Sequence, residues 1–126
     1  VPAKASFNYA IVRVTPCVER EEFINAGVIL FCRTHRFLEA RIELDLARLQ
    51  ALAPQADVAA IQKNLALIPA ICGGAGPIGQ LDLTERFHWL VSPRSTIIQV
   101  SPVHAGLCDD PHATLAHLFE TMVQTR

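Results

Sequence analysis

Residues 7–15 (FNYAIVRVT) are apolar at odd and even positions alike, and the run stops at Pro16. A strand with one wet face alternates, whereas one apolar on both parities is a central strand covered on both faces. Arg13 interrupts one face near its end. Residues 19–23 form a charged connection. Residues 25–33 (NAGVILFCR) predict a second strand, and Thr34-His35-Arg36 a turn. In residues 37–44, Leu38, Ala40, Ile42 and Leu44 alternate with Phe37, Glu39, Arg41 and Glu43. Period two with charges outward gives a third strand with one wet face, hairpinned to the second and lying near an edge.

The pattern then changes to helical spacing. Asp45 is placed to cap a short helix through Leu52, with Leu46, Leu49 and Leu52 inward. Asp57 caps a second, with Val58, Ile61, Leu65 and Ile68 on one stripe and Pro69 as its break or kink. Gly73-Gly74-Ala75-Gly76-Pro77 reads as a connector. It lacks the Gly-Lys-Ser/Thr of a phosphate loop, and Pro77 removes an amide donor. Asp82 with Glu85 resembles a capping box, predicting a helix with Leu83, Phe87, Leu90 and Val91 inward. A strand over residues 87–91 is the rival, favoured by the aromatic content. Residues 96–100 predict a fourth strand and 102–109 a loop. Asp110-Pro111 opens a last helix with Leu115, Leu118, Phe119 and Met122 toward the core. Strands first, then helices, then a strand and a helix predict an α+β fold. Its form is a two-layer sandwich on a mainly antiparallel sheet of about four strands.

The chain has 126 residues, the size of one domain, 1–126. Apolar residues at 51% and charged residues at 18% exclude a disordered chain. The net charge of −1 lacks the basic excess of a protein that grips nucleic acid by its backbone. The apolar run of residues 27–32 is too short to span a bilayer. The four cysteines, Cys17, Cys32, Cys72 and Cys108, form no C-x-x-C pair, and no signal peptide is visible. Structural reduced thiols in a cytoplasmic protein are the expectation.

Candidate chemistry concentrates in residues 85–106 (ERFHWLVSPRSTIIQVSPVHAG), which hold the one Trp, two of the five His and two Arg. Arg94 offers a planar fork for carboxylate or phosphate, with Ser95 and Thr96 as neutral donors. Arg86 and His88 precede it, and Gln99 and His104 follow. Together they would form an anion pocket at a sheet end. The alternative is that Arg94 satisfies backbone carbonyls while Ser95 and Thr96 shape the turn after Pro93. Arg13, Arg20 and Asn25 are secondary candidates, and Glu21 and Glu22 read as a solvated connection. His88 and His104 are candidates for an acid–base pair. No paired His-x-Thr/Ser motifs and no G-x-S-x-G setting accompany them. His104, Cys108, Asp109, Asp110 and His112 are metal-ligand types, but Asp110 is already a helix cap. Neither metal nor cofactor is expected.

The runs YAIVRVTPCVEREEFINAGVILFCRTHRFLEARI and ERFHWLVSPRSTIIQVSPVHAGLCDDP resemble the bacterial domain-of-unknown-function family 3037 (DUF3037), over nearly the whole chain. The resemblance carries no catalytic residues. It implies a bacterial cytosolic protein acting with a partner, a HipA-like kinase. The resulting expectation is a binding or accessory domain. It would engage a partner protein or anionic ligand through the surface around Arg94. The alternative is a small enzyme on a phosphate-containing substrate, with His88 or His104 as acid or base. Nucleic acid is the least expected ligand, and the oligomeric state stays open.

Overall fold

A computed structural model describes residues 4–94 and 96–124. Strands β1 (Ala5–Val14) and β2 (Ile24–Cys32) form its centre. β3 (Phe37–Ile42) lies outside β2, and β4 (Ile98–Val100) and β5 (His104–Cys108) share the other edge of β1. Every pairing is antiparallel.

β4 and β5 are two halves of one interrupted edge strand. β4 pairs with residues 12–14 and β5 with residues 5–9. Between them Ser101, Pro102 and Val103 stand against Ala10 and Ile11, three residues against two. Ser101 mends the break. Its amide donates to the Ile11 carbonyl and its hydroxyl accepts from the Ile11 amide, each at 2.8 Å. The strand at His104–Cys108 replaces the loop expected there. HAGLC has no alternating pattern of its own, but β1 is buried and needs partners for its backbone groups along its whole length.

β1 is apolar on both parities because both faces are covered. Val12 and Val14 join one core with Ile24, Ala26, Ile29 and Phe31; Phe7 and Ile11 join the other with Val28, Leu30 and Cys32. In β2 the inward parity changes from even to odd within one face. The register explains it: Val12 faces Gly27 while Arg13 faces Asn25, leaving Ala26 as the extra residue of a bulge. A Cβ on Gly27 would stand 2.7 Å from the Arg41 carbonyl oxygen, so only glycine lets β3 approach.

Helices α1 (Leu46–Leu52), α2 (Val58–Cys72), the single turn α3 (Gly76–Gly79) and α4 (Leu83–Leu90) follow β3, and α5 (Pro111–Met122) ends the order. α1, α2 and α4 feed the first core and α5 the second. The α+β class and the mainly antiparallel sheet are as expected. One more layer than expected forms, because the β1–β2 pair needs cover on both sides. Asp45, Asp57, Asp82 and Asp110 accept from the amides of Arg48, Ala60, Glu85 and His112 at 3.1, 3.1, 2.8 and 3.0 Å, capping four helices.

Several local expectations change. The cap prevails over aromatic content at residues 87–91, which lie in α4 and its end. Pro69 does not stop α2, which continues to Cys72. Ile61, Leu65 and Cys72 hold it to the core across the proline. Leu46 and Met122 point outward at 43% and 42% exposure, and Val123 takes the inner place at the end of α5. Phe37 is buried rather than wet, with the His112 ring edge-on to it at 4.6 Å. The glycine connector folds into a turn, with Gly74 at φ 100° and the Gln80 side chain donating to its carbonyl at 3.1 Å.

Gly27→Ala is expected to lower stability by about 1–3 kcal/mol through overpacking against β3. Gly73→Ala, where a Cβ meets nothing closer than 3.5 Å, should stay within about 0.5 kcal/mol of wild type. Urea unfolding of the two variants compares them.

Candidate functional site

The polar candidates do not converge on one pocket; they divide between the two sides of the sheet. Arg94 and Thr96 border a cleft of about 660 Å³. Its walls are α2, the end of α4, Arg94 with residues 96–98, and Pro16 with Val18 from the turn after β1. Ile61, Leu67, Ile68 and Ile71 contribute from α2, Trp89 and Leu90 from α4, and Ile97 and Ile98 from the approach to β4. Leu67, Trp89 and Ile97 are 53%, 39% and 43% exposed, so the apolar lining faces water.

The reason lies in α2. Its second half, Leu65 to Cys72 (LALIPAIC), has no polar side chain. Such a helix is ordinarily covered all round. Here Leu65 and Cys72 pack on the sheet, while Leu67 stands open and Ile68 and Ile71 are half-buried. By length and composition the stretch Val58–Gly79 resembles a membrane span. It is broken at Gly73–Gly74 by a turn, and 17% of its most apolar window is buried.

Arg94 sits at the cleft's rim. Its guanidinium lies 4.2 Å from the Trp89 ring centroid and donates from Nη2 to the Trp89 carbonyl at 2.7 Å. The Ser92 hydroxyl donates to the His88 carbonyl at 2.7 Å. Ser92 and Arg94 thus close two of the carbonyls that a helix end leaves open. Arg94 therefore does part of the carbonyl duty weighed as the alternative. Among the described residues no carboxylate pairs with it, so its charge is available beside the cleft. The Thr96 hydroxyl donates to the Ile98 carbonyl at 2.8 Å, and the Gln99 amide donates to the Thr96 carbonyl at 2.9 Å. These bonds hold the turn that carries Ile97. Ser95 lies outside the described residues.

Arg13, Asn25 and Gln99 form a row across three strands, with Asn25 opposite Arg13 and Arg13 opposite Gln99. Directly paired residues share a face. This one is the α5 side, since the Asn25 amide donates to the Met122 carbonyl at 3.0 Å. The Arg13 guanidinium lies 4.2 Å from the Phe23 ring centroid, and its buried Nε has no hydrogen-bond partner among the described residues. The His104 ring lies beside that of Tyr9, tilted by 34° with centroids 5.3 Å apart, and Tyr9 packs against the second core.

Arg86 belongs to neither group. It donates from Nε to the Leu81 carbonyl at 2.8 Å and from Nη1 to the Cys72 carbonyl at 3.0 Å, tying the end of α2 to the start of α4. His88 is exposed on α4, so the His88–His104 pair is not assembled: one stands on the α2 side and the other on the α5 side. Arg20 is exposed and bonded to Glu22. Among the described residues no three metal-ligating side chains gather.

Cys32, Cys72 and Cys108 are buried, Cys17 is exposed, and all four are free thiols. Burial pushes the Cys72 thiol up to about 12, against a smaller opposing effect of Arg86. Burial, then the neighbouring Cys32, raises that of Cys108. The residues missed by the polar search are Leu67, Ile68, Ile71 and Ile97. The signal for the three on α2 was present as LALIPAIC, a stretch with no polar side to offer water.

A family model described as protein of unknown function (DUF3037) matches residues 9–123. No curated protein and no solved structure matches.

Arg86→Ala should cost about 1–3 kcal/mol, because two carbonyls lose their charged donor. Chemical unfolding measures the loss. In native protein at pH 8, one thiol, Cys17, should react readily with an aromatic disulfide reagent, and the other three only after unfolding. At that pH a group titrating near 12 is about one part in ten thousand thiolate, the reactive form.

Proposed function

The chain belongs to the protein family of unknown function DUF3037, and on that premise we propose that it is a binding or accessory domain. It engages a partner protein through the cleft beside Arg94. One observation carries the reading: an apolar cleft of about 660 Å³ stands open, and the guanidinium on its rim has no carboxylate partner among the described residues. Apolar area taken from water contributes roughly 25 cal/mol per Å². A contiguous apolar surface on a soluble domain marks an interaction site. The charge then selects among apolar occupants, because a carboxylate or phosphate gains a partner there and a cation does not. A HipA-like kinase is the first partner to test, with the bacterial cytosol as the setting. The enzymatic alternative gains no support from two histidines on different sides of the sheet.

Two measurements test this. The aromatic anion 8-anilinonaphthalene-1-sulfonate should bind wild type with enhanced fluorescence. Its affinity should fall at least tenfold in Leu67→Glu and several-fold in Arg94→Ala. Co-purification of a HipA-like kinase should be lost in Leu67→Glu and kept in Leu107→Glu, an exposed position on β5. Dye binding and kinase recovery that both ignore Leu67→Glu would end the reading.

A further inference from the structure

Building on the cleft as a partner site, we propose that its occupant is an amphipathic helix of a partner protein. The helix is about three turns long, with apolar anchors on one stripe and an acidic residue set against Arg94.

The first argument is shape. On α2 the cleft is bordered by Ala60, Asn64, Leu67, Ile68 and Ile71. These positions run along one side of the helix, and Ala60 to Ile71 spans about 16 Å, three turns. Trp89 and Ile97 stand across from them. A trough that follows a helix axis for three turns matches a second helix with anchors at i, i+3 or i+4, and i+7. Ala56 and Ala60 line the cleft with short side chains, which let an incoming backbone approach closely there.

The second argument is the backbone. Apart from the Leu65 carbonyl, which Pro69 deprives of its helical donor, the interior of α2 spends its amides and carbonyls within itself, so this wall offers side chains and no ladder of free donors and acceptors. An extended segment laid there would bury peptide groups without partners on that wall, at a cost. A helix arrives with those groups already bonded to one another.

The third argument is charge. Among the described residues, Arg94 is the one basic residue lining the cleft, and no carboxylate pairs with it. The one acidic residue in the lining, Asp57, accepts from the Ala60 amide at the start of α2. The cleft therefore rewards an incoming Asp or Glu near Arg94 and penalises Lys or Arg.

A displayed library of random 16-residue peptides, selected on wild type with Leu67→Glu as the counter-target, tests the proposal. Leu67 is 53% exposed, and circular dichroism of the variant verifies its fold. Enriched peptides should carry apolar residues at helical spacing and an Asp or Glu at one fixed offset. Exchanging that acid for Lys should weaken binding at least tenfold on wild type and by less than twofold on Arg94→Ala. Period-two or proline-rich winners overturn the proposal, as does an acid that exchanges for Lys without loss. Failure of any peptide to distinguish wild type from Leu67→Glu overturns it too. So does a wild-type dimer that sediments as monomer in Leu67→Glu, because a second copy then fills the cleft. Binding to phosphatidylglycerol vesicles that Leu67→Glu abolishes assigns the cleft to a membrane surface and also overturns it. If dye and kinase binding still depend on Leu67 while the peptides show another pattern, the helical occupant falls and the partner site stands. If Leu67→Glu changes none of these, both fall.

Discussion

A helical stretch without a polar side needs cover on every side, and the fold covers the second half of α2 on one. Ile61, Leu65 and Cys72 are committed to the sheet, and they hold the helix so firmly that Pro69 sits within it without ending it. Once that stripe is fixed, the 3.6-residue period decides what turns outward: Leu67, with Ile68 and Ile71 half-covered. A polar residue at 67 would serve this stretch of α2 better in water. The apolar choice is a local conflict with the solvated state, and such conflicts concentrate at functional surfaces.

The sheet supplies the opposite wall through a similar compromise. β1 is too long and too buried to leave unpaired, so its outer edge takes two short strands joined across Ser101–Val103. The chain must reach that edge from the end of α4, and residues 96–98 make the approach to it. Thr15 donates its amide to the Ile97 carbonyl at 2.6 Å, pinning the approach to the end of β1. Arg86 fixes the other end by joining α2 to the entry of α4. The cleft's width is thus set by backbone bonds and one half-buried guanidinium, while its interior is left to apolar side chains.

Much of this was legible in the residues. Apolar positions on both parities gave β1 its two covers, and four aspartates marked the helix starts that the structure caps. What escaped were features decided by neighbours. β5 has no pattern of its own and forms because β1 demands a partner. The parity change in β2 follows from a bulge that Gly27 permits, and no periodicity count detects it. For the candidate site, the search weighted polar residues and so gathered Arg86, His88, Gln99 and His104 with Arg94. Nearness along the chain did not become nearness in space, because alternate residues of β4 and β5 face opposite layers. LALIPAIC was legible as composition, but whether its far side was covered could be decided only by the packing.

Arg94 joins the two halves of the structure. Its guanidinium is held against the Trp89 ring and tethered to the Trp89 carbonyl, so the side chain is already ordered. Ordering a long, flexible cation on binding costs free energy, and a tethered fork has less to lose. Its setting also changes what its charge is worth. In open water an ion pair contributes little. When an apolar occupant displaces solvent from the cleft, the same pair lies in a lower dielectric and strengthens. Apolar anchors and the charge therefore reinforce each other: the anchors dry the site, and drying makes the carboxylate opposite Arg94 selective. A surface guanidinium away from any cleft, such as that of Arg20, has no such amplifier and is already matched by Glu22.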